Sequence, residues 1–321
     1  MYIIIKYSLI YILKMKEKIP SNIIIKTNYG FTKNLMAPHF FQSIIEQIMQ
    51  YIKDHPNNYE NLEIEAKLGR FEFKGDFVSN FEKINEIFII PDKDQLVPSP
   101  KNKFNFVSGV SPRDFFLIWQ ALENESKLNG ANIECIKPIL FKDFIYTNNK
   151  RKSQIFQDGK LIKEEIIRKE NKKHINVRNL GSDFRITCSE EMPTDINEEK
   201  DNLENKRDKY RMSYQLSYYR VDLTLSKDKD GEYYEVEIEM NLLKKELVGV
   251  KHIDEPKIRA ILDRFIQNIF NLYSVLIPDS IAFNAQQEEQ INYEIGLNNH
   301  FRPEEIQSRF GNYFKNNLFR K

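Results

Sequence analysis

A chain of 321 residues, 41% hydrophobic and 30% charged, can bury a sizeable core as one or two domains. Lys and Arg number 48 against 47 Asp and Glu, a formal charge of +1. That balance excludes a protein coated in positive charge for duplex DNA, but not one whose charges are sorted into separate places. The two cysteines, Cys135 and Cys188, are widely spaced and the five histidines form no HExxH, so zinc chemistry is excluded and a reducing compartment is expected.

The start, MYIIIKYSLIYIL, is apolar but interrupted by Lys6 and shorter than the roughly 20 residues of a membrane-spanning helix. A strand or an unstructured extension over 1–36 is expected, and no membrane association. Residues 38–54 carry apolar side chains at helical spacing behind Pro38, which predicts a helix. Residues 62–73 alternate apolar and polar and then meet Gly69, read as a strand that breaks into a turn. A second helix is predicted over 112–128, with Ser111 as N-cap and Pro112 in its first turn.

Alternating segments then follow one another from 133 to 190, with turns at Asn148-Asn149 and Asp158-Gly159. Residues 194–208 are charged and poorly apolar, and read as an insert loop. Strands resume over 209–225, and a KDKDG turn at 227–231 leads into another at 232–240. A helix is predicted over 255–276, and 279–321 reads as a polar tail. Many antiparallel strands with helices at the margins suggest a closed barrel with helices outside. The catalytic unit would span 37–278.

Three strands carry unusual charge rows. In a strand, residues i, i+2 and i+4 share a face. Glu63, Glu65 and Lys67 therefore oppose Leu62, Ile64 and Ala66, while Glu235, Glu237 and Glu239 oppose Val236, Ile238 and Met240. Arg207, Lys209 and Arg211 form a cationic row in the same way. The charged sides face either solvent or the interior of a barrel. Unit charges 4 Å apart repel by roughly 4 kcal/mol at an effective dielectric near 20. Carboxylates converging in a partly buried space thus need a counter-charge or take up protons. A hard divalent cation, Mg²⁺ or Mn²⁺, answers that need through oxygen ligands, and an Arg/Lys row facing the same space would draw a polyphosphate.

Together these motifs resemble the fungal and protozoan mRNA-capping RNA 5′-triphosphatases of the triphosphate tunnel metalloenzymes. The resemblance covers about 38–275. It rests on the ExExK of Glu63, Glu65 and Lys67, the RxKxR of Arg207, Lys209 and Arg211, the VDLT of Val221 to Thr224, and the closing ExExE of Glu235 to Glu239. The DxxY of Asp143 and Tyr146, the RxS of Arg151 and Ser153 and the DxRIT…E of Asp183 to Glu191 are consistent with it, and NFVSGVSPRDFF at 105–116 looks like the family's loop into a helix.

The resemblance implies an α+β fold built on a closed antiparallel eight-stranded β-barrel, the triphosphate tunnel, with helices outside. It implies hydrolysis of the γ-phosphate of 5′-triphosphate RNA as the first step of mRNA capping. Glu63, Glu65 and Glu239 would hold Mg²⁺ or Mn²⁺, and Glu191 and Glu237 would orient or activate water. Glu235 would accept hydrogen bonds from the basic wall. Arg151, Arg185, Lys209 and Arg211 would grip the phosphates, while Arg207, Asp222 and Lys67 would support them and Asp143 joins the site. The family's basic residue on the strand at 161–170 falls on either Arg168 or Lys169. The implied partners are the 5′-triphosphate end of nascent RNA and an mRNA guanylyltransferase, and the implied location is the nucleus. The competing readings are a tunnel hydrolase of tripolyphosphate, thiamine triphosphate or free nucleotides, and a non-catalytic polyphosphate- or RNA-binding module.

Overall fold

The computed structural model describes residues 38–74, 88–90, 103–128, 133–178, 182–197, 200–250, 252–274 and 276. The expected N-terminal extension and C-terminal tail lie outside them. The described residues form ten strands: β1 (Leu62–Lys74), β2 (Phe88–Ile90), β3 (Lys103–Ser108), β4 (Glu134–Tyr146), β5 (Lys150–Gln157), β6 (Lys160–Arg178), β7 (Asp183–Pro193), β8 (Leu203–Gln215), β9 (Arg220–Lys227) and β10 (Glu232–Glu239). Four helices accompany them among the described residues: α1 (Pro38–Asp54), α2 (Pro112–Ser126), α3 (Lys244–Leu247) and α4 (Glu255–Ser274).

Antiparallel pairing runs β10-β9-β8-β4-β5-β6-β7-β1, and β1 returns to pair with β10, so eight strands close on themselves. Closure removes the sheet edges that would otherwise invite aggregation. The closing seam is short: Glu65 faces Glu239, Ala66 faces Ile238 and Lys67 faces Glu237. β3 and β2 stand outside the ring, on β1 and β6 respectively.

The alternation read from sequence sorts the barrel into two faces. Ile64, Ala66, Leu68, Phe184, Ile186, Cys188, Val221, Leu223, Val236 and Ile238 are buried on the outer face. Against it pack Ile44, Ile48, Met49 and Ile52 of α1 and Ile258, Leu262, Phe265, Ile266 and Ile269 of α4, each set at i, i+3, i+4 spacing. Phe270 meets Phe184 edge-on at 5.2 Å between ring centres. Each such buried side chain contributes about 1.5–3 kcal/mol, so the wall stands on the outer helices and leaves its inner face free for charge. α2 covers β10 on another side, with Phe115 against Tyr234 at 5.4 Å. Ser111 caps it as expected, its Oγ accepting from the Asp114 N–H at 3.1 Å.

Three expectations are corrected. β1 does not break at Gly69 but continues to Lys74. A Cβ at Gly69 would lie 2.3 Å from the Val107 carbonyl oxygen and 2.7 Å from the Phe106 ring, so the glycine serves the close approach of β3 rather than a turn. That strand, at 103–108, includes residues read as a loop into α2. The third correction concerns 194–208, whose last six residues, 203–208, are not loop. β8 begins at Leu203: Arg207 takes the polar inner face while Glu204, Lys206 and Asp208 are exposed, so neither face needs an apolar stripe. The expected turns hold: Asn148, Asn149 and Asp158 take positive φ of 62°, 58° and 49°. Asp228 N–H donates to the Gly231 carbonyl in the KDKDG turn.

Candidate active site

The register places the sequence-selected rows on one inner surface. Glu63, Glu65 and Lys67 of β1 sit beside Ser189, Thr187 and Arg185 of β7. Glu235, Glu237 and Glu239 of β10 sit beside Thr224, Asp222 and Arg220 of β9. Both carboxylate rows meet at the closing seam. Arg207, Lys209 and Arg211 of β8 continue this surface beyond β9, with Asp143 of β4 opposite Arg207.

At the seam, Lys67 donates to Glu237 at 2.6 Å and pairs with Glu65 at 3.2 Å. Glu237 also takes an Arg211 amino group at 3.2 Å. Burial alone would raise the Glu237 carboxyl, but Lys67, Arg211 and Lys209 outweigh it and hold it well below the ordinary carboxylate range. Glu239 behaves oppositely. Burial pushes it up to about 7, Asp222 and Glu63 add to the rise, and Arg220 opposes it.

The basic wall is held by buried acids. Asp143, 3% exposed, accepts from Ser153 at 2.7 Å and pairs with Lys209 at 2.7 Å. Asp222, fully buried, accepts from Ser213 and pairs with Arg211 at 3.0 Å and Arg220 at 2.7 Å. These two aspartates, on the inner face but buried beneath their partners, act by fixing cations. Lys209 is lowered by burial, with Arg151 and Arg211 adding to the effect and Asp143 and Glu235 opposing it. Arg207 lies 3.5 Å from Glu235, and Arg151 lies 3.2 Å from Glu191. The Nε atoms of Arg151 and Arg207 are buried without a hydrogen-bond partner among the described residues. Two unspent guanidinium donors in a polar bore are what an anion would satisfy.

The structure resolves the ambiguous lysine. Lys169 points inward, donating to Glu63 and lying 3.5 Å from both Glu65 and Glu191, whereas Arg168 pairs with Glu170 on the outside. Arg185 also faces inward. It donates from Nε to Asn176 at 2.7 Å, and its guanidinium stacks 4.8 Å above the Phe106 ring. The sequence reading missed Arg220, which donates to Glu239 at 2.6 Å. Its signal was present: Arg220, Asp222 and Thr224 share one strand face, and the quoted VDLT motif stops one residue short of it. The hydroxyls of Ser153, Ser189 and Ser213 were not read as site residues, because a serine in an alternating strand carries no charge signature.

Among the described residues, no three His, Cys, Asp or Glu side chains are gathered to hold a metal as placed. Lys169 and Arg220 instead provide the counter-charge on Glu63, Glu65 and Glu239. The donor set itself fits a hard divalent cation: three carboxylates, two directly opposed across the seam and the third two residues away on the same face. Both competing cations end long flexible side chains that can swing toward an incoming phosphate.

The family described as mRNA capping enzyme, beta chain, an mRNA triphosphatase family, matches residues 35–275. No curated protein sequence matches the chain significantly. Among solved structures, S. pombe Pct1 RNA triphosphatase superposes with a TM-score of 0.57 at 19% identity, covering 79% of this chain and 98% of that one. Pct1 in complex with the Spt5 CTD gives a TM-score of 0.58 at 19% identity, over 77% and 98%. Those two likenesses bear on the fold, a closed eight-stranded tunnel. The family match spans most of the chain and carries the function. The chain belongs to the mRNA capping enzyme beta-chain family, the RNA triphosphatases that hydrolyse the 5′-terminal phosphoanhydride of RNA in capping.

Proposed function

We propose that the tunnel interior is the catalytic centre, within a catalytic unit spanning 37–278, and that it removes the γ-phosphate to leave 5′-diphosphate RNA. The observation that supports this is the polarised bore: opposed carboxylates at the β1–β10 seam face a cationic wall on β8 and β5. Glu63, Glu65 and Glu239 would hold Mg²⁺ or Mn²⁺, which when bound supplies Lewis-acid polarisation of the terminal phosphate.

The chain's own residues do the rest. Arg211, Lys209 and Arg151 grip the phosphate oxygens and balance charge on the transferred group, the main demand of phosphoryl transfer. Arg151 and Arg207 each bring an unspent Nε–H to that task. Glu191, between Lys169 and Arg151, is placed to align water, and Glu237 stays ionised beside Lys67. Asp143 and Asp222 hold Lys209 and Arg211 in place, which is the preorganisation that positioning catalysis requires. Arg220 and Lys169 compensate the carboxylates until substrate and cation arrive.

The 5′-diphosphate product calls for a guanylyltransferase as partner and for a nuclear setting. No described helix is long and apolar enough to cross a membrane. The test is release of phosphate from γ-labelled triphosphate RNA, ATP and tripolyphosphate, each with Mg²⁺ or Mn²⁺. RNA hydrolysis that needs the cation supports the reading, and metal-independent binding without turnover would sink it.

A further inference from the structure

The catalytic groups described above contact only phosphates and water, so nothing yet distinguishes RNA from inorganic tripolyphosphate. β3 and β7 supply a second kind of surface. Phe71 of β1 pairs in register with Phe106 of β3, and both lie on the inward side of β1, beyond Lys67 and Gly69. The Phe106 ring covers Gly69, where even a methyl group would not fit. Phe71 braces it at 5.0 Å, and buried Phe104 stands behind Phe71 at 5.6 Å. The Arg185 guanidinium lies over the Phe106 ring at 4.8 Å and reaches within 5.9 Å of Phe71. Asn176, itself 4% exposed, fixes the Arg185 Nε. Phe106 and Arg185 both remain partly exposed.

Direction along the bore matters. β1 runs from the carboxylates Glu63 and Glu65 through Lys67 to Gly69, about 13 Å beyond Glu65 at roughly 3.3 Å per residue. A terminal phosphate held at the carboxylates therefore points the rest of its chain either past Arg185 and Phe106 or out at the Glu63 end. The Glu63 end presents Lys169, Glu191 and Ser189 to the bore, all polar. A nucleobase is an uncharged π-face, and aromatic rings and guanidinium planes are the groups on which proteins stack it. Phe141 lies under Arg211 at 5.0 Å on the phosphate-gripping wall, and beyond the carboxylates along β1 the side that carries both is the Phe106 side.

We propose that Phe106 and Arg185 form a stacking platform for the first nucleobase of the substrate, and that this platform separates polynucleotide and nucleotide substrates from inorganic polyphosphate. The inference rests on the tunnel being the triphosphatase site. Phe106 contributes binding to the base and makes no contact with the reacting phosphates. Stacking is tolerant of sequence, because every base has a π-face, so purine and pyrimidine 5′ ends are both accepted.

The test compares 5′-triphosphate RNA, ATP and tripolyphosphate as substrates of the full chain, in one metal, for wild type, Phe106→Ala, Phe106→Leu and Phe106→Trp. Loss of one stacked base is expected to lower kcat/KM for RNA and ATP about tenfold, through KM, in the Ala and Leu variants. Tripolyphosphate hydrolysis should stay at the wild-type rate, and Phe106→Trp should restore RNA and ATP. The Leu variant keeps apolar bulk over Gly69, so a loss shared by Ala and Leu reads the ring rather than the packing. Equal loss on all three substrates would mean that Phe106 merely braces Arg185 and β1, and the proposal would be wrong. Unchanged RNA kinetics in Phe106→Ala would also overturn it. A wild-type chain inert toward all three would overturn the catalytic reading itself, a result distinct from either.

Discussion

Arg211 shows how much one side chain is asked to do. Its Nε donates to Thr224 at 3.1 Å, while its two amino groups reach Asp222 at 3.0 Å and Glu237 at 3.2 Å. A lysine ammonium cannot meet three acceptors spread around a planar fork. Arg211→Lys should therefore lose nearly as much kcat/KM as Arg211→Ala, roughly 10- to 100-fold; a fully active lysine variant would mean that charge alone suffices. Glu239 offers a pH test. Its carboxyl stands at about 7 against an ordinary 4.5, so the folded chain binds this proton more tightly than the unfolded chain. That stabilisation is full below 4.5 and is lost as pH rises through about 7, a difference on the order of 3 kcal/mol. With chelator present, Glu239→Gln should melt above wild type at pH 8 and lose that advantage by pH 5. A pH-independent difference would remove the buried-charge account. Alanine at Glu63, Glu65 or Glu239 should abolish hydrolysis while circular dichroism stays native; near-normal turnover of Glu239→Ala in saturating Mn²⁺ would refute the ligand assignment.

Among the elements, β1 carries the most. It pairs with β7 along one edge and with β10 and then β3 along the other. The sequence showed its charge alternation plainly, but Gly69 looked like punctuation. Only the neighbouring strand explains it, since the Val107 carbonyl and Phe106 ring occupy the place of any side chain. Gly69→Ala should cost about 1–3 kcal/mol by overpacking and should loosen β3, seen as a lower melting temperature and weaker hydrogen-exchange protection over 104–108. A neutral substitution would show that β3 has room to shift. β8 misled for a different reason. Leu203–Asp208 has almost no apolar residue, so it lacks the pattern by which strands are recognised, yet it pairs with β4 up to Tyr146. A strand whose inner face lines a wet, charged bore needs no hydrophobic stripe there.

For the molecule as a whole, the notable joint is the seam. Three residue pairs close the ring, and one of them sets Glu65 against Glu239, like charges directly opposed. A divalent cation held between them would staple the barrel shut. Free Mn²⁺ at a hundredfold excess over its dissociation constant should stabilise the fold by about 2.7 kcal/mol, with slower hydrogen exchange at 65–67 and 237–239. Glu65→Gln should melt higher than wild type without metal and lose the Mn²⁺ shift. Equal shifts in both proteins would put the metal elsewhere.

By itself the sequence determined the faces. Period-2 alternation is a local property of the strand, so Glu63, Glu65 and Lys67, then Glu235, Glu237 and Glu239, then Arg207, Lys209 and Arg211 could each be assigned to one face of their own strand, and the structure turns all three faces into the bore. It also determined the helices α1, α2 and α4, whose apolar spacing and caps are equally local. What faces what was decided by the tertiary structure. Whether Lys169 or Arg168 enters the bore depends on the β6–β7 register, and Arg220 matters because β9 lies beside β10. Phe106 acquires a role only because β3 returns to β1 across a glycine. Pairing between distant strands is a matter of register and closure, and no spacing within a single strand encodes it.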